Sequence, residues 1–247
     1  MSQTRPAVTF DPAELAAEAR SILGYPGDAR LVVEGVVDVL EGAGALGVED
    51  VDGEPTFACL PESALARAAG ARSSALLILT SGLGATGSGE RATTLTFAGR
   101  LERRGRQDCP CCTEVRDVVA LDLTFVLLSR PPSGPGAGRR PEQQLRVPLE
   151  HFRSPEHVLN RGYFRRAVEH ANQCHQPELR RAVSRRTGTP YDDIAAVALA
   201  DLHRDRVEVR WVDPTGDHHA VRPFRQPART AEELGRRLRR ELDTRLC

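Results

Sequence analysis

Hydrophobic positions recur along the chain in two periods, and the period changes near Ser154. Before that point the pattern mostly has period two, the mark of half-buried strands. Leu31, Val33, Val37 and Val39 share one face of a strand over Leu31–Leu40, and a second strand runs near Ala45–Asp50. Asp52-Gly53 is a hairpin turn signal, followed by a strand over Thr56–Leu60. Ala75–Thr80 reads as a buried strand. Thr93–Arg103 and Val115–Leu128 are the longest strand candidates, and in the second Val115, Val119, Leu121, Leu123, Phe125 and Leu127 point one way. Leu145–Leu149 is the last candidate strand of this half. Two helices interrupt the run. One opens at Asp11-Pro12-Ala13-Glu14 and buries Leu15, Ala19 and Ile22; the other is short, over Pro61–Ala69.

After Ser154 the pattern becomes helical. Counting roughly 100° per residue from Phe164 puts Ala167, Val168, Ala171, His175, Leu179, Ala182 and Val183 in one arc. The arc crosses Pro177 without a phase break, so His157–Arg186 is either one bent helix or two helices sharing a face. Three strands follow, over Ile194–Leu202, Val207–Val212 and His219–Phe224, the last after the turn Asp213-Pro214-Thr215-Gly216. A capping box at Thr230 and Glu233 opens a final helix with Leu234, Leu238 and Leu242 at four-residue spacing. The expected fold class is α+β: an N-terminal antiparallel barrel over 1–153, then a small helix, three-stranded sheet and helix domain over 154–247.

Composition narrows the chemistry. The 247 residues carry no net formal charge, which gives no reason to expect nucleic acid as a partner. No apolar run would span a membrane and the N-terminus has no signal pattern, so the expectation is a soluble, cytoplasmic protein with no membrane partner. All 34 basic residues counted as Lys or Arg are arginine. That excludes a Schiff-base lysine and a P-loop lysine, and leaves arginine, backbone amides and hydroxyls to hold any anion.

Three groups of residues attract attention. His170, Asn172, Cys174 and His175 are ligand-type side chains on one helical stretch. Imidazole and thiolate suit haem iron or zinc, so His170, Cys174 and His175 are candidate metal ligands; a packed, hydrogen-bonded His175 is the structural alternative. Cys109-Pro110-Cys111-Cys112 contains a CxxC, but the residues after it alternate like a strand, where a thioredoxin-type motif needs a helix. Redox-sensitive or incidental thiols, a Cys-Pro haem ligand, or a zinc or iron–sulfur site, are the readings of Cys109, Cys111 and Cys112. Ser81–Gly89 is glycine-rich yet lies between strands and leads into no helix, so it reads as a connector, with Arg72 and Arg91 as nearby cations should it meet a cofactor phosphate. Arg165, Arg166, Arg180, Arg181, Arg185 and Arg186 form either a solvated face or a clasp for carboxylates.

The C-terminal pattern resembles the small domain that closes HugZ-type haem-utilisation proteins. The resemblance covers about residues 155–245 and rests on His170, Asn172 and His175, then Asp201, Val207–Val209, Arg222, Pro223 and Phe224. Cys174 stands where that family carries aspartate. The N-terminal half resembles the flavin-binding split barrel of the pyridoxamine 5′-phosphate oxidase type. The similar segments are Asp52-Gly53 to Leu65, Ala71–Leu77 and Arg91–Arg100; Ser63–Arg67 stands where the barrel family has a histidine-threonine-x-asparagine segment. The resemblance implies a split-barrel homodimer. It further implies haem bound through His170 or His175 with arginines such as Arg165 and Arg166 on its propionates, and an activity like that of a haem oxygenase. An FMN-dependent oxidoreductase using Arg72 and Arg91, and a non-enzymatic sensor or interaction protein that keeps the fold, are the two alternatives.

Overall fold

The computed structural model describes residues 10–39, 46–108, 114–132 and 141–242. Cys109, Cys111, Cys112, Cys247 and most of the 130–141 connector lie outside them. The chain divides into two compact units between His157 and Val158.

The N-terminal unit contains α1 (Pro12–Gly24), β1 (Pro26–Val33), β2 (Glu49–Val51), β3 (Glu54–Cys59), α2 (Ala64–Gly70), β4 (Ser74–Ser81), β5 (Thr94–Asp108), β6 (Val115–Arg130), β7 (Gln143–Arg146) and α3 (Leu149–Phe152). Its seven strands form one antiparallel sheet in the order β1-β4-β5-β6-β3-β2, with β7 also on β6. The sheet forks at β6. One edge of this strand pairs along its whole length with β5. The other pairs with β3 over Asp117–Ala120 and with β7 over Leu127–Arg130. In the gap, Arg153 donates to the Leu123 carbonyl at 3.2 Å.

Alternation along β6 breaks in the middle. Val119, Leu121 and Leu123 are buried, but Phe125 and Leu127 are not, and Val126 and Leu128 take their places in the core. The cause is a bulge. Ala98 pairs with Phe125 and Gly99 with Leu123, so Thr124 is an extra residue and every side chain beyond it changes face. The same bulge requires Gly99, because a Cβ there would sit 2.1 Å from the Asp122 carbonyl oxygen.

Other boundaries shift for local reasons. The strand expected over Leu31–Leu40 ends at Val33, where Gly35 takes φ +76° and the Val36 amide closes a turn on the Val33 carbonyl; Val37 is fully exposed. The Asp52-Gly53 turn forms as expected, with positive φ at both residues. The helix expected from Pro61 starts at Ala64, since Ser63 is its N-cap and accepts from the Ala66 amide. The strand expected over Leu145–Leu149 is β7, and Leu149 already belongs to α3.

Helix α1 lays Leu15, Ala19, Ile22 and Leu23 into the core with Leu77, Leu79, Leu95, Phe97, Leu121 and Phe152. Phe97 and Phe152 meet edge to face at 5.6 Å. Arg20 is buried among them, 1% exposed; its Nε donates to Asp50 at 2.8 Å and its Nη1 to the Phe152 carbonyl at 3.0 Å. One guanidinium thus ties α1, β2 and α3 together.

The C-terminal unit contains α4 (Arg161–Cys174), α5 (Gln176–Thr187), β8 (Ala196–Leu202), β9 (Arg206–Asp213), β10 (Gly216–Pro223) and α6 (Ala231–Leu242). Its sheet is antiparallel, in the order β10-β9-β8. The choice left open at Pro177 resolves into two helices. His175 leaves the helical region (φ −125°, ψ 28°), and Pro177 falls in the first turn of α5, where its missing N–H costs no hydrogen bond. Val168, Ala171, Leu179, Ala182 and Val183 still face one core, with Leu199, Val207, Val209, Leu234 and Leu242. Among the described residues, no helix is long and apolar enough to cross a membrane.

Candidate functional site

Helix α4 is held in a defined rotation. Asn160 caps it, accepting from the Tyr163 amide at 2.9 Å. Asn172, a member of the candidate ligand group, uses its side chain on β8: it accepts from the Leu199 amide and donates to the Leu199 carbonyl. Its role is structural, and it sets which way the two flanking histidines project.

His170, exposed, and His175, 8% exposed, come together. Their Nε2 atoms lie 3.3 Å apart with ring centroids at 5.1 Å and planes at 77°. One Nε2 donates and the other accepts, so a metal bound at either nitrogen replaces this hydrogen bond. On its other side, the His175 Nδ1 is 4.0 Å from Glu178, which also lies 3.7 Å from Arg181. Cys174 is exposed. Among the described residues, no three His, Cys, Asp or Glu side chains gather as a metal-holding group.

The pair opens into a pocket of about 270 Å³ between α4 and α6. Tyr163, Ala167 and Ala171 line it from α4, and Leu234, Gly235 and Leu238 from α6, so most of the wall is apolar. Arg166 on one helix and Arg239 on the other supply positive charge. Burial pushes the Tyr163 phenol above its ordinary value, so it stays a neutral hydroxyl through the physiological range. Gly235 sits inside α6, where glycine costs a helix about 1 kcal/mol relative to alanine. No positive φ demands it, and a Cβ would first meet the Arg239 guanidinium, at an ordinary 3.5 Å.

The other arginines singled out in the sequence are placed elsewhere. Arg165 pairs with Glu169 at 3.7 Å, Arg180 donates to the Ala195 carbonyl at 3.0 Å, and Arg186 reaches Glu241 at 3.3 Å. In the N-terminal unit Arg72 pairs with Glu102, and Arg91 donates to the Gly82 carbonyl at 2.8 Å. In the glycine-rich loop, Ser81 and Ser88 accept from the amides of Leu83 and Arg91, so these hydroxyls serve the turn itself. Cys59 is buried; desolvation raises its thiol above the ordinary value, against a lowering hydrogen bond with Ser63.

Tyr163, Gly235, Leu238 and Arg239 were not picked out from the sequence as site residues. One signal was present: a glycine between Leu234 and Leu238 in a helix whose other positions are strong helix formers.

Fold and site together define an α+β chain whose C-terminal unit carries a histidine-bearing, mostly apolar pocket. No protein-family model matches the chain, and no curated protein sequence matches it. Among solved structures the chain is similar to a haem-binding protein from Mycobacterium smegmatis, at 15% identity and a TM-score of 0.38, covering 96% of this chain and 98% of that one. A protein of unknown function from Agrobacterium tumefaciens gives 19% identity and a TM-score of 0.39, over 97% of this chain and all of its own. A general stress family protein from Xanthomonas campestris gives 15% and 0.38, over 54% of this chain and 98% of that one.

Proposed function

We propose that this is a HugZ-like split-barrel protein and that its C-terminal unit binds haem in the pocket between α4 and α6. The observation that carries the reading is the pair of facing imidazoles, His170 and His175, opening into a pocket that is apolar in the middle and cationic at Arg166 and Arg239. Haem has the matching chemistry: an iron that takes imidazole nitrogen, an apolar macrocycle and two carboxylates. His175 is the better-placed ligand, since Glu178 lies beside its Nδ1 and metal-bound histidines commonly have a carboxylate on the second nitrogen. His170, exposed, then stands as its neighbour on the pocket side. Bound iron would supply redox and oxygen chemistry; the chain's part is to orient the imidazole and to shield the edge of the macrocycle that enters the pocket.

Titration of the purified protein with hemin tests the reading. A shifted, saturable Soret band is expected, weakened in His170→Ala and lost in the double variant with His175→Gln, with circular dichroism confirming that both variants fold. A Soret band unchanged by the protein, or the same shift in the double variant, overturns it.

A further inference from the structure

We infer that Tyr163 is a ligand-binding residue of this pocket, its phenol hydroxyl donating a hydrogen bond to a carboxylate at the rim of the bound macrocycle. The inference rests on the haem reading and deepens it, because it assigns the outer end of the ligand to the first turn of α4.

Three observations converge on this residue. Tyr163 is half-buried and lines the pocket, yet its hydroxyl has no hydrogen-bond partner among the described residues. A phenol removed from water normally finds one. The two arginines of the lining engage other groups of the chain, whereas this hydroxyl is open. The ring is also held in place: the Tyr163 amide donates to the Asn160 cap at 2.9 Å, and the ring meets Phe164 edge to face at 6.1 Å. The spacing along α4 then selects the part of the ligand it meets. Tyr163 and His170 share a helix face about two turns apart, roughly 10 Å along the axis, so an iron held at the imidazole pair lies out of reach of the phenol. Beyond its iron, haem accepts hydrogen bonds only through its two carboxylates, which stand on the rim of the macrocycle. A neutral phenol donates and a carboxylate accepts, so the bond is charge-assisted.

The test compares hemin with hemin dimethyl ester, which has the same macrocycle and iron but no free carboxylates, in the wild-type protein and in Tyr163→Phe. The variant keeps the ring and its packing, and circular dichroism checks that it folds. The quantity read is the ratio of hemin to ester affinity. Tyr163→Phe is expected to lower this ratio by roughly ten- to a hundredfold, the usual scale for a hydrogen bond to a charged group, through weaker hemin binding with the ester unaffected. A ratio that stays at its wild-type value, whether both affinities fall or neither does, overturns the inference and leaves haem binding standing. A wild-type protein that binds neither compound overturns both.

Discussion

The Asn172 side chain holds the Leu199 backbone from both ends, accepting from its amide at 2.8 Å and donating to its carbonyl at 2.9 Å. Leu199 lies on β8, the outer strand of the β10-β9-β8 sheet, with Val209 of β9 as its partner on one side. A carboxamide is the one side-chain group with a donor and an acceptor spaced to replace a strand at that point.

Asn172→Ala leaves a buried amide and a buried carbonyl without partners. The C-terminal unit should lose about 2–4 kcal/mol in denaturant unfolding. Asn172→Asp keeps the acceptor but turns an oxygen toward the Leu199 carbonyl, and should be no better. Because the same bonds set the rotation of α4, hemin affinity should fall in both variants.

In the N-terminal unit, Arg20→Met removes a guanidinium that is 1% exposed and leaves Asp50 facing the core. Breaking one side of such a pair costs about 3–5 kcal/mol, whereas replacing both partners by apolar groups of similar volume costs far less. Asp50 also accepts from the buried Gly53 amide at 2.9 Å, so the double variant Arg20→Met/Asp50→Asn, which keeps that acceptor and removes the charge, should recover part of the stability lost in the single one. Chemical denaturation of the three proteins measures this directly, and a double variant as unstable as Arg20→Met would show that the pair is not the cause.

Gly99→Ala places a methyl group against the Asp122 carbonyl at 2.1 Å, so the β5–β6 bulge must open. A loss of about 3 kcal/mol or more is expected, at the upper end for overpacking because the obstructing atom is backbone. Gly235→Ala should change stability in the opposite direction. The contrast separates a glycine needed by the fold from one that is not.

The β9–β10 hairpin carries a pH-dependent lock. Asp213 accepts from the Thr215 hydroxyl and amide and from His218, and these bonds, the Thr215 hydroxyl first, hold its carboxyl well below the ordinary aspartate value. A lowered folded-state value means that the carboxylate stabilises the hairpin fully above the ordinary value near 3.8, and that this contribution is lost as pH falls below it toward the folded-state value. His218 stacks on Trp211, the single tryptophan of the chain, at 5.1 Å, so tryptophan emission reports on the turn. Asp213→Asn should lower hairpin stability at neutral pH and flatten its dependence on pH in the acid range.

Much of this architecture is legible in the residues, and the failures have specific physical causes. Alternation located β4, β5 and β6, and the capping box located α6. The parity along β6 misled beyond Leu123 because a one-residue bulge leaves no mark in a period-two pattern. At the site, the helical count placed His175 inward correctly. It did not put His170 beside His175; the structure brings the two imidazoles together because the backbone leaves the helix at His175. The far wall of the pocket left one trace in the sequence, the glycine inside α6. Leu234 and Leu238 read as a core stripe, and only the fold shows that Gly235 and Arg239 face α4 across a gap.

The fork at β6 also shapes how the N-terminal unit comes apart. Because β5, β3 and β7 all bond to this one strand, a local opening at either end of it still leaves it anchored by β5. Its amides bonded to β5 should exchange with solvent only when the whole unit unfolds, while those of β2, a three-residue edge strand, exchange through fraying. Native-state hydrogen exchange would then show β5 and β6 as the slowest-exchanging pair, the last structure the unit gives up.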